Sequence, residues 1–135
     1  MNCFLCKASF TISILLLLVS CQYPIKTKIP SLNPQIQINQ LSALIASGIY
    51  IKKNCNRLDI PDDTILIQTA LHLAQRRHWD TQVVEYQKLT DTSQARYQAL
   101  LQDNTTHAKK CAQLNPLTEK FIAETKRHNR LFAKP

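Results

Sequence analysis

The spacing of apolar positions changes several times along this chain, and each change marks a boundary. From Ala8 to Ser20 thirteen residues are mostly apolar, a run that closes in "LLLLVSCQ" (Leu15 to Gln22). A spanning helix needs roughly 20 such residues, so the stretch is too short to cross a bilayer. "QYPIKTKIPSLNPQ" (Gln22 to Gln35) then carries Pro24, Pro30 and Pro34 with no helical period. Proline fixes φ and disfavours helix at the residue before it, which predicts an extended tether of about 3.1 Å per residue and on the order of 40 Å in reach. From Ile36 the period becomes helical: Ile38, Leu41, Leu44, Ile45, Gly48, Ile51 and Cys55 recur at three- and four-residue steps.

Three more helices follow. In "DIPDDTILIQTALHLAQRRHW" (Asp59 to Trp79), Pro61 bars an earlier start, Asp62 or Asp63 can cap, and Leu66, Ala70, Leu73 and Ala74 form the inner stripe. Arg76, Arg77 and His78 crowd its C-terminal end, where positive charge is favoured. "DTQVVEYQKLT" reads as an irregular connection. "DTSQARYQALLQD" is a short third helix with Asp91 and Gln94 at capping-box spacing and Tyr97, Leu100 and Leu101 on its apolar face. "TTHAKKCAQLNPLTEKFIAETKR" is the fourth, and Pro116 predicts a kink or break near Asn115. With no convincing strand and no internal repeat, the chain is expected to be all-α, a compact four-helix domain behind a proline-containing tether. The expected boundaries are 1–20 for a cleaved signal, 21–35 for the tether, 36–125 for the domain and 126–135 for a basic tail.

The start of the chain changes what the cysteines mean. Lys7, the apolar run and Val19-Ser20 have the layout of a secretory signal. Cleavage would leave Cys21 first, and Leu18-Val19-Ser20-Cys21 resembles the bacterial lipobox, in which that cysteine is joined to diacylglycerol and acylated. A plain signal with a chance cysteine is the other reading. Cys3 and Cys6 leave with the signal, so Cys55 and Cys111 remain for an oxidising compartment, where such a pair usually bonds. Closing that loop stabilises by about 4 kcal/mol in the chain-entropy account. Two free thiols are the alternative.

Charge and composition exclude more than they assign. The net charge is +8, and "KRHNRLFAK" (Lys126 to Lys134) holds four positive residues and no acid. An exported chain does not meet nucleic acid, so anionic lipid or solvent suits this basicity better. With a single glycine, Gly48, there is no phosphate-cradling loop. His72, His78, His107 and His128 make no metal-ligand spacing, and Asp62 and Asp63 are better explained as caps than as a catalytic pair. The expectation is a binding module, not an enzyme, with no cofactor beyond covalent lipid on Cys21.

One stretch carries a resemblance. "YIKKNCNRLDIPDDTILIQTALHLAQRRHWD" (Tyr50 to Asp80) resembles the PulS/OutS family of type II secretion pilotins. The shared pattern is an aromatic, Cys55-Asn56-Arg57, then Asp59, Pro61 and Asp62, then an alanine-rich helix ending in Arg77, Trp79 and Asp80. Tyr97 with Leu100 and Leu101, and Lys110-Cys111, continue it. His78 departs from it, standing where members often have glycine, and the basic tail beyond Phe121 is longer than usual. The resemblance implies a four-helix domain whose disulfide, here Cys55 to Cys111, joins the first and last helices. It also implies an outer-membrane lipoprotein, delivered by the lipoprotein sorting machinery. Such a protein binds the C-terminal segment of the secretin subunit, protects it and carries it to the outer membrane. Gln22 agrees, since aspartate after the lipidated cysteine is the usual inner-membrane retention signal. A small periplasm-facing lipoprotein of another class, such as an inhibitor or envelope-stress factor, is the alternative.

A helix-accepting groove is expected where apolar residues exceed what a single core stripe requires. Those of the first helix spread beyond one face of about 100°. The expected groove sets Leu41, Leu44, Ile45 and Gly48 against Tyr97, Leu100 and Leu101; that these seven simply pack together is the other reading.

Overall fold

The computed structural model describes residues 32–132; the signal segment, Cys21 and most of the tether lie outside them. The first helix, α1 (Pro34–Asn54), is the centre of the domain. It begins two residues before the expected Ile36, because proline suits the first helical position and Asn33 caps it, accepting the Gln35 N–H at 2.8 Å. Ile38, Leu41, Ile45, Ile49 and Ile51 are all fully or almost fully buried, from positions spread around the helix axis. The other helices all pack against α1, which is why it is apolar on more than one face.

Helix α2 (Asp63–Arg76) starts where Pro61 and Asp62 predict, with the Asp62 side chain accepting the Ile65 N–H at 3.1 Å. It presents Leu66, Thr69, Ala70 and Ala74 inward. At its end His78 has φ 58°. There the His78 N–H reaches the Gln75 carbonyl at 2.9 Å and the Trp79 N–H the Ala74 carbonyl at 3.0 Å. These two bonds make a Schellman cap, which needs a left-handed residue at this place.

The expected irregular connection contains a 3-10 turn (Val84–Lys88) that runs straight into α3 (Leu89–Gln102). Asp91 therefore lies inside the first turn of α3 rather than at its cap, and Lys88 precedes the helix with no side-chain cap. Tyr86 anchors the turn: its buried hydroxyl donates to Gln37 Oε1 at 2.7 Å.

Of the kink or break expected near Asn115, helix α4 (His107–Phe132) shows no break. It runs unbroken through Pro116 and continues through the residues read as a free basic tail, as far as Phe132. Proline leaves the Ala112 carbonyl without its helical donor, but Ala112 lies on the exposed side of the helix, so the loss does not fall in the core. Asn115 Nδ2 donates to the Cys111 carbonyl at 2.8 Å and Thr118 Oγ1 to that of Leu114 at 2.8 Å, holding the helix on both sides of the proline. Beyond it, Lys126 pairs with Asp59, Arg127 with Glu124, and the His128 ring lies 5.5 Å from that of His72. The last turns are thus tied to the α1–α2 loop and to α2.

Cys55, the C-cap of α1, is bonded to Cys111 in α4, with Cα atoms 5.7 Å apart. Among the described residues there is no strand, and no helix is long and apolar enough to cross a membrane.

Candidate functional site

The seven residues of the expected groove do not line one surface. Leu41 and Ile45 are completely buried in the core, and Leu44 is partly buried against it. Gly48 turns toward α2 and α4: a β-carbon there would stand 3.1 Å from Leu66 Cδ2 and 3.7 Å from Phe121 Cε1. Tyr97 packs partly buried against the core with Lys53 Nζ 5.5 Å from its ring centre, and Leu101 is 42% exposed. The physical reason is the central place of α1, whose additional apolar face is covered by other helices of the same chain.

A cleft does open between α1 and α3, and Leu100 is the one residue of the seven that lines it. Its floor is made of small side chains, Ala43, Ala46 and Ser47 from α1 and Ala99 from α3, and Arg96 and Asp103 complete the rim. The volume is about 310 Å³, room for a few anchoring side chains rather than for a whole helix. Small residues at 43, 46 and 47 share one helical face, which was the available sequence signal; a search for bulky apolar residues passes over it.

The C-terminal end of the cleft is fixed by a buried cation. Lys110 is 7% exposed, and its Nζ donates to the Leu100 carbonyl at 2.6 Å and to the Asp103 carbonyl at 2.7 Å. It also lies 5.6 Å from the Tyr50 ring centre. The ammonium thus neutralises the negative end of the α3 dipole and ties it to the first turn of α4. Asp103 receives the Thr105 N–H at 2.9 Å, and its carboxyl is held below the ordinary range first by Thr105 and then by the Lys110 charge. A carboxylate and a guanidinium therefore flank an apolar floor, an arrangement suited to hold an amphipathic peptide in a fixed direction.

A sequence model of the type II secretion system pilotin lipoproteins, PulS_OutS, matches residues 18–123. The chain belongs to this family. Pilotin OutS of Dickeya dadantii (strain 3937) is 35% identical over 111 residues, covering 78% of this chain and 82% of the relative. The pullulanase secretion protein PulS of Klebsiella pneumoniae is 33% identical over 114 residues, covering 84% and 90%. Among solved structures, a chain of a pilotin/secretin peptide complex superposes with a TM-score of 0.66 at 36% identity, over 68% of this chain and 95% of that one. A chain of the Klebsiella pneumoniae type II secretion system outer membrane complex, with PulD, PulS and the PulC HR domain, gives 0.63 at 36% identity, over 68% and 97%.

Seen on the fold, the residues through which the chain resembles the pilotins are mostly joints. Asn56, at φ 54°, turns the chain after Cys55. Arg57 holds Asp59 through Nε at 2.7 Å and Nη2 at 2.9 Å, and Asn115 through Nη1 at 2.8 Å. Arg57, and then Lys126, keep the Asp59 carboxyl well below the usual carboxylate range. Asp62 caps α2, and Arg77 stacks on Trp79 with its guanidinium carbon 5.1 Å from the ring centre. Much of the pilotin pattern thus sits at joints between elements, while Leu100, which also belongs to it, lines the cleft and Lys110 closes its end.

Proposed function

We propose that this chain is the pilotin of a type II secretion system. It binds the C-terminal segment of the secretin subunit, protects it and delivers it to the outer membrane for assembly into the export channel. The observation that carries this reading is the likeness, in both sequence and fold, to a chain of a solved pilotin/secretin peptide complex. The protein acts by binding rather than by catalysis. An acyl group on Cys21, outside the described residues, anchors it to the outer membrane facing the periplasm, and it needs no other prosthetic group.

The cleft between α1 and α3 suits the recognition step. A secretin tail that is unstructured alone can fold as an amphipathic helix across the Ala43, Ala46, Ser47 and Ala99 floor, with Leu100 as one wall. Ordering the segment costs about 2–5 kcal/mol, so moderate affinity is expected. The test is calorimetric titration of a synthetic secretin C-terminal segment into the protein and into an Ala99→Glu variant. Ala99 is exposed, so the melting temperature should not change, while affinity should fall by about tenfold or more, equivalent to about 1.4 kcal/mol. Full affinity in the variant moves the segment off this cleft. No binding to the unmodified protein removes the pilotin reading itself.

A further inference from the structure

The large apolar side chains left exposed among the described residues are not spread evenly. Of eight, five gather at one end of the domain: Leu32, Ile36, Val84, Leu131 and Phe132, the last two 69% and 70% exposed. The connections between elements place them there. The Leu32 carbonyl accepts from Gln37 of α1, and Gln37 accepts from Tyr86, two residues beyond Val84. Helices α1 and α4 run in opposite directions, since Cys55 is bonded to Cys111 and Gly48 faces Phe121. From the Gly48–Phe121 contact, at about 1.5 Å per residue, α1 runs back about 21 Å to Pro34 and α4 forward about 16 Å to Phe132. Both arrive at the same end. Leu58, in the loop after Cys55, marks the opposite one.

Charge is uneven in the same way. From Thr125 to Pro135 the sequence holds Lys126, Arg127, Arg130 and Lys134 and no acid, and from Cys21 to Leu32 it holds Lys26 and Lys28 and no acid. Glu124, the acid before this run, is shared by Arg76 and Arg127. Asp80 and Glu85, on the connection that carries Val84, are matched in number by Arg77 and Lys88. Bulky apolar groups among cations suit the boundary of a bilayer, where the former enter the acyl region and the latter stay with the phosphates. Eleven peptide steps of at most about 3.6 Å keep Leu32 within about 40 Å of Cys21. An acyl group on Cys21 therefore holds this end within reach of a membrane, at a local concentration that a weak contact can use.

We propose that this end of the domain is a second membrane contact, with Leu131 and Phe132 entering a phospholipid surface and Arg127 and Arg130 meeting its anionic headgroups. The proposal rests on the acyl anchor of the proposed function and not on secretin binding. Its consequence is a fixed posture. Lys110 and Asp103 lie toward the opposite end, beside Tyr50 near the end of α1. The closed end of the partner cleft then points away from the bilayer, into the periplasm.

The test uses the mature lipidated protein in vesicles of phosphatidylethanolamine and phosphatidylglycerol with brominated acyl chains, which quench an indole only where it enters the bilayer. Phe132→Trp is compared with Leu58→Trp, both at exposed positions, and Trp79 is common to the two. The indole at 132 should be quenched and the one at 58 should not. Arg130→Gln in the Phe132→Trp protein should lower the ratio of docked to free domain about fivefold, the share of one basic side chain at an anionic surface. Phosphatidylcholine alone should lower it further. Equal quenching at 58 and 132, or none at 132 beyond that of Trp79, overturns the contact. An indole at 132 that is blue-shifted but not quenched means that protein, such as a second copy of the chain, covers this end, and overturns it as well. Equal quenching in phosphatidylcholine overturns the role given to anionic headgroups. A protein that docks in this way and binds no secretin segment keeps the contact and loses only the pilotin reading.

Discussion

Leu66 of α2 rests against the backbone of Gly48 in α1, so close that a β-carbon on Gly48 would meet Leu66 Cδ2 at 3.1 Å. Leu66 is completely buried and cannot swing away into solvent. The one glycine of the chain is thus where α1 and α2 come together, and its helix cost of about 1 kcal/mol relative to alanine is accepted for that closeness. Gly48→Ala should recover the helix term and lose slightly more by displacing Leu66, for a net destabilisation of about 1 kcal/mol or less. Gly48→Val should cost about 2–3 kcal/mol through overpacking. Urea denaturation of the two variants checks the order, and a Gly48→Val protein as stable as the parent would mean that the two helices can separate freely.

The Schellman cap of α2 predicts a gain. His78 holds a left-handed φ of 58°, where a β-carbon is strained and glycine is not. Part of that relief is lost to the greater freedom of glycine in the unfolded chain. His78→Gly should therefore stabilise by about 0.5–1 kcal/mol, read as a higher urea midpoint with an unchanged slope.

The Cys55–Cys111 bond closes a loop across a sequence separation of 56. Replacing both cysteines with alanine should cost about 4 kcal/mol and lower the melting temperature. Alkylation of the unreduced periplasmic protein should label neither residue; labelling of both would show that the bond does not form in the cell.

A pH effect is expected at the α2–α4 seam. The His128 imidazole is held below its ordinary pKa by burial and then by neighbouring His72, with Arg76, Glu124 and Arg127 on the same seam. A lowered histidine pKa means that the folded chain binds fewer protons than the unfolded one. Stability is then whole above the unfolded value of about 6.5 and falls as pH drops through it toward the folded value. Asp59 stays charged throughout this window. The melting temperature should therefore fall between about pH 7.5 and pH 5.5, and His72→Gln should reduce the drop. An equal drop in that variant would place the effect elsewhere.

On the proposed function, addressing depends on Cys21, ahead of the described domain. Cys21→Ser should leave the protein unprocessed or misplaced and the secretin outside the outer membrane, as judged by membrane fractionation. Normal outer-membrane recovery of that variant would separate delivery from the acyl group.

What could be read from the sequence depended on whether the deciding force was local. Pro61 and Asp62 act on their own helix, so the start of α2 was legible. The cysteine pair was legible because the expected signal and lipobox accounted for the other three cysteines, leaving a bonded pair or two free thiols, and the bonded pair is what the fold shows. The start of α3 was not, since the 3-10 turn feeds it without a capping side chain. Nor was the persistence of α4 past Pro116, which depends on exposure of the Ala112 side and on the tertiary partners of Lys126 and His128. The burial of Leu41 and Ile45 was not legible for the same reason. Excess apolar residues on α1 looked like an uncovered wall, but whether Leu41 and Ile45 are covered depends on how many helices surround them.

The way α1 is held also decides how the domain bears a pull. The chain enters at Leu32, whose carbonyl accepts a bond from Gln37 Nε2, and Gln37 Oε1 in turn receives the buried Tyr86 hydroxyl. At its far end α1 is bonded through Cys55 to α4. Force entering at Leu32 therefore meets the Gln37–Tyr86 clamp, which opposes unzipping of the first turn of α1. With the disulfide at its other end, α1 is anchored at both termini, so neither end is free to fray before the helices around it separate.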